Sequence, residues 1–140
     1  MALERVARHS HYNLNYHVVM VTKSRHGVLG GAVRDLLIAT LNASCTERDW
    51  IVLGLEVMPD HVHIFLSAPP KWSPSDIVKI LKGVSARRIL QAYPQLSRRG
   101  HLWTNAFYAG TAGTVSSQTI QQYILNQRKR QEGGNDAESV

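Results

Sequence analysis

The order of strand-type and helix-type segments most strongly constrains how this chain folds. Segment 14–22 (LNYHVVMVT) is rich in β-branched and apolar residues and predicts a strand, whereas 33–48 carries its apolar residues on one helical face. Segments 50–58 (WIVLGLEVM) and 61–68 (HVHIFLSA) predict two further strands. Because only Pro59 and Asp60 separate them, we expect these two strands to form a hairpin.

A second helix begins near Ser73. Ser73 is a suitable N-cap, Pro74 occupies the first helical position and Asp76 completes a capping box. The helical pattern then runs towards Tyr93 and stops at Pro94.

The remaining chain predicts a short fourth strand at 106–112 and a last helix that begins at Ser116 or Ser117 and ends near Arg130. The order βαββαβ is that of an α+β, ferredoxin-like or RRM-like palm, with a four-stranded antiparallel sheet, helices on one face and an added C-terminal helix. We expect one domain over 13–130, a flexible segment at 1–12 and a disordered tail at 131–140.

The charge distribution predicts a polyanionic partner. The 140 residues carry a formal net charge of +6 with a pI of about 9.8, and no Asp or Glu occurs between Ile77 and Gln131. A stretch of one sign usually faces phosphate, although a merely soluble basic surface is the alternative. The single Cys45, the absence of a signal-peptide pattern and the lack of a bilayer-spanning apolar run predict a cytoplasmic protein.

Two histidines in the third strand are candidate metal ligands. Side chains alternate along a strand, so His61 and His63 share one face while Val62 and Ile64 serve the core. Two neighbouring imidazoles can bind one divalent ion. The alternative is a pair of surface histidines on a half-exposed strand.

Tyr123 and Gln127 are one helical turn apart in the last helix, so both point from one face. A tyrosine hydroxyl, with an ordinary pKa of about 10, attacks phosphorus well only with help from a metal or a base. The Gln127 carbonyl is a possible third metal ligand, and such a set with phosphate oxygens suits Mn²⁺ or Mg²⁺. The alternative is a Tyr123 packed on the sheet and a solvated Gln127.

The sequence resembles the single-tyrosine transposases of the HUH superfamily, the TnpA-type proteins of small bacterial and archaeal insertion sequences. The resemblance spans most of 13–129 and includes NYHVV, EVMPDHVHIF, LKGVSARRIL, YPQL, LWTNAFY and YILNQ in this order. It implies a metal site at His61, His63 and Gln127 and a nucleophile at Tyr123. It also implies a homodimer that cleaves and rejoins single-stranded DNA at hairpin-containing transposon ends through a 5′-phosphotyrosine link.

Several basic and aromatic residues are candidates for DNA contact. We expect cationic side chains to meet the phosphate backbone, and Trp103, with His101 and Tyr108, to stack on unpaired bases unless Trp103 is a core or dimer residue. The cationic candidates are Arg5, Arg8, Lys23, Arg25, Lys79, Lys82, Arg87 and Arg88.

Three other functions remain compatible with the residues. A domesticated relative that processes repeated hairpins of its host genome would use the same chemistry. A non-catalytic module that binds single strands is a second alternative, although the third strand carries histidines where an RRM carries aromatics. A metal-dependent phosphoesterase is a third, and the Tyr123–Gln127 pair argues for a covalent route instead.

Overall fold

The computed structural model of the chain describes residues 5–7, 10–12 and 14–111. The predicted last helix lies outside the described residues, and with it Tyr123 and Gln127. Arg8 and the tail 131–140 lie outside them as well.

Six strands and two α-helices make up the described chain, together with short 3₁₀ segments at Lys23–Arg25 and Pro94–Arg99. Ser73 caps the second helix as expected, since its Oγ accepts a hydrogen bond from the Asp76 amide at 3.0 Å. The elements are β1 Arg5–Ala7, β2 Ser10–Tyr12, β3 Asn15–Thr22, α1 Gly31–Glu47, β4 Ile51–Met58, β5 His61–Ser67, α2 Pro74–Ala92 and β6 Trp103–Thr111.

The main sheet has the order β4-β5-β3-β6, and each neighbouring pair is antiparallel. Strands β4 and β5 form the predicted hairpin, in which Met58 pairs with His61 across the Pro59-Asp60 turn. Strand β3 lies between β5 and β6, which is the split βαβ arrangement expected from the sequence. The α+β fold class is therefore confirmed.

The core lies between one face of this sheet and the two helices. Val18, Met20, Val62, Ile64 and Leu66 supply the sheet side and are all fully buried. The helices add Leu37 and Leu41 from α1 and Ile77, Leu81 and Ile89 from α2. Because β3 and β5 place alternate residues on this face, their remaining side chains lie on the opposite face, where the histidines are.

Residues 5–7 and 10–12, which lie within the segment predicted to be flexible, form the strands β1 and β2. Strands β1 and β2 form a small antiparallel ribbon. The guanidinium of Arg5 holds the ribbon to the domain, since it donates to the Asp49 and Ser67 carbonyls at 2.8 and 3.3 Å and pairs with the Asp49 carboxylate at 2.9 Å. Arg5 also lies 5.3 Å from the centre of the Tyr12 ring.

Strand β6 begins at Trp103, three residues before the predicted start at Ala106. The early start arises because Trp103 pairs with Thr22 beyond a register shift in the β3–β6 ladder. No helix among the described residues is long and apolar enough to cross a membrane.

Candidate functional site

His61 and His63 lie side by side on the face of the sheet opposite α1 and α2, as their spacing predicts. Their side chains are 0% and 3% exposed, which excludes the alternative of two surface histidines. The ring centres are 5.0 Å apart and the ring planes meet at 76°. Two buried imidazoles at this distance can present nitrogen lone pairs to one ion.

Asp60 fixes the orientation of His61. Its Oδ1 lies 2.7 Å from Nδ1 of His61. An ionised carboxylate only accepts hydrogen bonds, so Nδ1 of His61 carries a proton, and Nε2 is the nitrogen that can offer a lone pair to a metal. Nε2 is buried and has no hydrogen-bond partner among the residues that the structure describes. Such an acceptor is costly to leave unsatisfied, and a bound cation would satisfy it.

Arg25 holds the other oxygen of the same carboxylate. Nε of Arg25 donates to Oδ2 of Asp60 at 3.1 Å. Burial alone would raise the pKa of Asp60, but the hydrogen bonds and charges of His61 and Arg25 outweigh it and lower that pKa below its usual value. Ser24 and Arg25 both have a φ in the left-handed region, at 56° and 54°, so the turn that presents Arg25 is held in a strained conformation.

His63 contacts a third histidine. Nε2 of His17 lies 3.1 Å from Nδ1 of His63, and His17 is buried as well. Burial lowers the pKa of His63 to about 3, with the nearby His61 and His17 adding to the effect, and burial lowers the pKa of His17 to about 4. Both rings are therefore neutral at pH 7, which is the form that a metal ligand needs.

Sequence reasoning missed two residues of this site. Asp60 directly precedes His61, so its ability to accept from an imidazole was visible in the sequence. His17 was not visible in this way, because it reaches His63 only through the β3–β5 register, in which His17 pairs with Phe65 and Val19 with His63.

The described residues fit part of a metal site. The buried Nε2 of His61 and the neutral His63 are suitable imidazole donors for a divalent transition ion. No group of three His, Cys, Asp or Glu side chains suited to a metal occurs within 5–7, 10–12 and 14–111. The predicted third ligand, Gln127, is of another residue type and lies outside these ranges.

The exposed DNA-contact candidates cluster mainly on α2. Lys79, Arg87 and Arg88 are exposed, and Lys23 is exposed after β3. Lys79 and Arg87 line one groove with Arg48 and Trp72, while Arg88 borders a second groove against α1. Tyr108 is half exposed at the edge of the sheet, next to the histidines.

Four further candidates, which are Arg5, Arg25, Lys82 and Trp103, have partners within the domain. Nζ of Lys82 donates to the carbonyls of three successive β6 residues, at 2.7 Å for Thr104. The guanidinium groups of Arg5 and Arg25 pair with the carboxylates of Asp49 and Asp60, respectively. Trp103 is 5% exposed and its Nε1 donates to Oγ of Ser85 at 3.0 Å. Trp103 is therefore a core residue, which was the alternative to base stacking.

Comparison with known protein families identifies the family of the chain. The family described as "Transposase IS200 like" matches residues 10–127, and the chain belongs to this family. The ISDra2 transposase TnpA of Deinococcus radiodurans is 42% identical over 123 residues, covering 86% of this chain and 88% of that protein. The transposase for insertion sequence element IS200 of Salmonella typhimurium is 29% identical over 137 residues, covering 96% and 90%.

Solved structures show the same fold. A crystal structure of a Deinococcus radiodurans protein described as a transposase superposes with a TM-score of 0.72 at 42% identity, covering 88% of this chain and 97% of that one. A REP-associated tyrosine transposase bound to a REP hairpin superposes with a TM-score of 0.58 at 13% identity, covering 86% and 68%. The second likeness concerns the fold alone.

Proposed function

We propose that this protein is a metal-dependent transposase of single-stranded DNA, which cleaves and rejoins hairpin-containing transposon ends. The carrying observation is the buried Nε2 of His61, which has no hydrogen-bond partner among the described residues and lies beside the neutral imidazole of His63. A buried lone pair of this kind is suited to a cation. Membership of the transposase family supports DNA strand transfer as the reaction class.

Tyr123 is the proposed nucleophile. Its oxygen forms a bond to the scissile phosphorus as its proton leaves, and the P–O3′ bond breaks. The products are a 5′-phosphotyrosine link and a DNA strand whose released O3′ takes up a proton. A 3′-hydroxyl then attacks the link and expels the tyrosine, so rejoining needs no external energy source.

His61, His63 and Gln127 are the proposed ligands of one Mg²⁺ or Mn²⁺ ion. When bound, the ion would polarise the phosphate and lower the barrier to attack by a weak nucleophile. Because this ligand set is neutral, the ion keeps its full attraction for phosphate oxygens. Asp60 holds His61 through its ring proton, so the lone pair of that ring remains available.

A DNA hairpin is the proposed substrate. The REP-associated relative with the same fold is bound to a hairpin, and the exposed cations of α2 supply a phosphate-binding surface here. We further propose that the active form is a homodimer, as the family resemblance implies. Light scattering of the purified protein with and without hairpin DNA measures the mass that tests this.

The covalent link gives the decisive experiment. The protein is mixed with hairpin oligonucleotides copied from the DNA that flanks its gene, in the presence of Mn²⁺, and separated on a denaturing gel. We expect a protein–DNA adduct in the wild type and in the matched control Tyr93→Phe, and none in Tyr123→Phe. An adduct that persists in Tyr123→Phe contradicts the proposed nucleophile.

His61→Ala separates chemistry from binding. We expect this variant to lose the adduct while it still binds the hairpin, because the phosphate-binding cations are elsewhere. Hairpin binding without any adduct in the wild type would instead identify a non-catalytic binding module. An adduct formed with repeated hairpins of the host genome, and not with flanking DNA, would identify a domesticated relative.

A further inference from the structure

His17 lies on β3, diagonally across the ladder from His63 and on the same face of the sheet. Its Nε2 is 3.1 Å from Nδ1 of His63, and both rings are buried. The mechanism above gives His17 no part. A buried imidazole in contact with a proposed metal ligand is therefore a candidate for a function of its own.

The two rings meet edge to edge. Their planes are nearly parallel, 16° apart, and their centres are 5.3 Å apart. This separation exceeds the 3.1 Å between the nitrogens by about the sum of the two ring radii, as expected for rings in one plane joined through their nitrogens. The contact thus has the geometry of a well-aligned N–H···N hydrogen bond rather than of face-to-face stacking.

Neighbouring aromatic rings hold His17 in this plane. Phe65 stacks on its face, with ring centres 4.2 Å apart and planes 6° apart. Tyr108 meets it at 61° with ring centres 5.4 Å apart. Contacts on the ring face limit rotation of the imidazole, so Nε2 of His17 stays directed at His63.

One hydrogen atom lies between the two rings, and its position decides whether His63 can bind a metal. If Nε2 of His17 donates, Nδ1 of His63 accepts and the proton of neutral His63 sits on Nε2. If Nδ1 of His63 donates, Nε2 of His17 accepts and Nε2 of His63 keeps its lone pair. The second arrangement matches the one that Asp60 imposes on His61.

We propose that His17 is a positioning residue that accepts the Nδ1 proton of His63 and so fixes the tautomer in which Nε2 of His63 can bind the metal. This inference rests on the proposed metal site, and it assigns the two ligands different acceptors. A carboxylate fixes His61, and a neutral imidazole clamped by Phe65 and Tyr108 fixes His63. Partners of this kind typically change metal affinity by about 10- to 100-fold.

The tautomer can be measured in the metal-free protein. Long-range ¹H–¹⁵N correlation spectra of ¹⁵N-labelled histidines at neutral pH identify which ring nitrogen of each neutral imidazole carries the proton. We expect His63 to be protonated at Nδ1, and at Nε2 in His17→Phe, which keeps the ring contact with Phe65 but has no acceptor. A wild-type His63 protonated at Nε2 overturns the proposal.

Metal affinity provides the second readout, measured as the loss of the free Mn²⁺ signal in electron paramagnetic resonance. We expect His17→Phe to weaken Mn²⁺ binding about tenfold or more. His17→Gln should restore most of it, because the Gln oxygen can accept near the position of Nε2. The matched control His26→Phe removes an exposed histidine after β3 and should bind Mn²⁺ as the wild type does.

Equal Mn²⁺ affinity in His17→Phe and the wild type overturns the proposal. It is also overturned if His17→Gln loses as much Mn²⁺ affinity as His17→Phe while both variants keep the wild-type thermal midpoint. Failure of the proposed function gives a different result. In that case the wild type and His63→Ala bind Mn²⁺ equally poorly. The tautomer spectra of the metal-free protein would then still decide the role of His17.

Discussion

Oδ1 of Asp60 lies 2.7 Å from Nδ1 of His61. Asp60 belongs to the two-residue turn that joins β4 to β5, and His61 is the first residue of β5. The turn itself is held to the end of β3, because the Thr22 amide donates to the Asp60 carbonyl at 3.0 Å. The position of the carboxylate is therefore set by the backbone of the hairpin. The acceptor for a proposed metal ligand therefore lies on a turn that is hydrogen-bonded to the end of β3.

Removing this acceptor should weaken metal binding. We expect Asp60→Ala to reduce Mn²⁺ affinity by about 10- to 100-fold, because His61 loses the partner that keeps its proton on Nδ1. Asp60→Asn should lose less, since an amide oxygen still accepts. The measurement is a Mn²⁺ titration followed by electron paramagnetic resonance. Asp35→Ala, which removes an exposed carboxylate from α1, serves as the control, and an Asp60→Ala variant of unchanged affinity refutes the assigned role.

DNA binding should depend on the exposed cations of α2. We expect the double variant Lys79→Gln/Arg87→Gln to weaken hairpin binding and to reduce the slope of log K against log salt by about 0.7 to 0.9 for each lost phosphate contact. Fluorescence anisotropy over a salt series measures both quantities. Arg34→Gln removes a cation that is paired with Asp35 on α1 and should leave the slope unchanged. A double variant with the wild-type slope would place the phosphates elsewhere.

Lys82 should matter for stability. Its ammonium group binds the carbonyls of Thr104, Asn105 and Ala106, and burial lowers its pKa. We expect Lys82→Met to reduce the free energy of unfolding by about 1.5 to 3 kcal/mol, the usual contribution of hydrogen bonds to a charged group. Urea unfolding measures this, with the exposed Lys79→Met on the same helix as control. If both variants lose the same small amount, Lys82 does not anchor β6.

Acid should destabilise the metal-free protein below pH 6.5. The pKa values of His17 and His63 fall from 6.5 to about 4 and about 3 in the native state. Between these values and 6.5 the unfolded chain takes up protons that the native state does not, so stability falls as the pH falls, by up to about 1.4 kcal/mol per pH unit for each proton.

Replacing one of these histidines tests the origin of this slope. In urea unfolding followed from neutral pH down to about 4, the pKa of His17, we expect a shallower fall for His17→Phe than for the wild type. The exposed His101→Phe should keep the wild-type slope. A slope that is the same in all three proteins would assign the acid sensitivity to other groups.

Much of the fold could be predicted from local patterns. The strands β3, β4 and β5 and both helices begin and end within two residues of the predicted bounds, because apolar periodicity, Pro59-Asp60 and the Ser73 cap all act over short distances. The start of β6 was predicted too late. Trp103 joins that strand through its pairing with Thr22, a contact between residues distant in sequence.

In the candidate site, too, the features set within one element could be predicted and the contacts between elements could not. Alternation along one strand was enough to place His61 and His63 on one face, and the roles of Tyr123 and Gln127 remain predictions from the sequence and its resemblance. Side chains from other elements were harder to foresee. Arg25, Lys82 and Trp103 carry suitable chemistry for DNA, but their partners Asp60, the β6 carbonyls and Ser85 come from other parts of the chain.

The sequence by itself determined the βαββαβ order, the basic character and the shared face of the two histidines, since each follows from composition or from the period of a single element. Only the tertiary structure decided that this face is buried, and that His17 reaches His63 across the β3–β5 ladder. The reason is physical. Register brings together residues that are 46 positions apart, and burial then makes the hydrogen bond between them decide which ring nitrogen holds a proton.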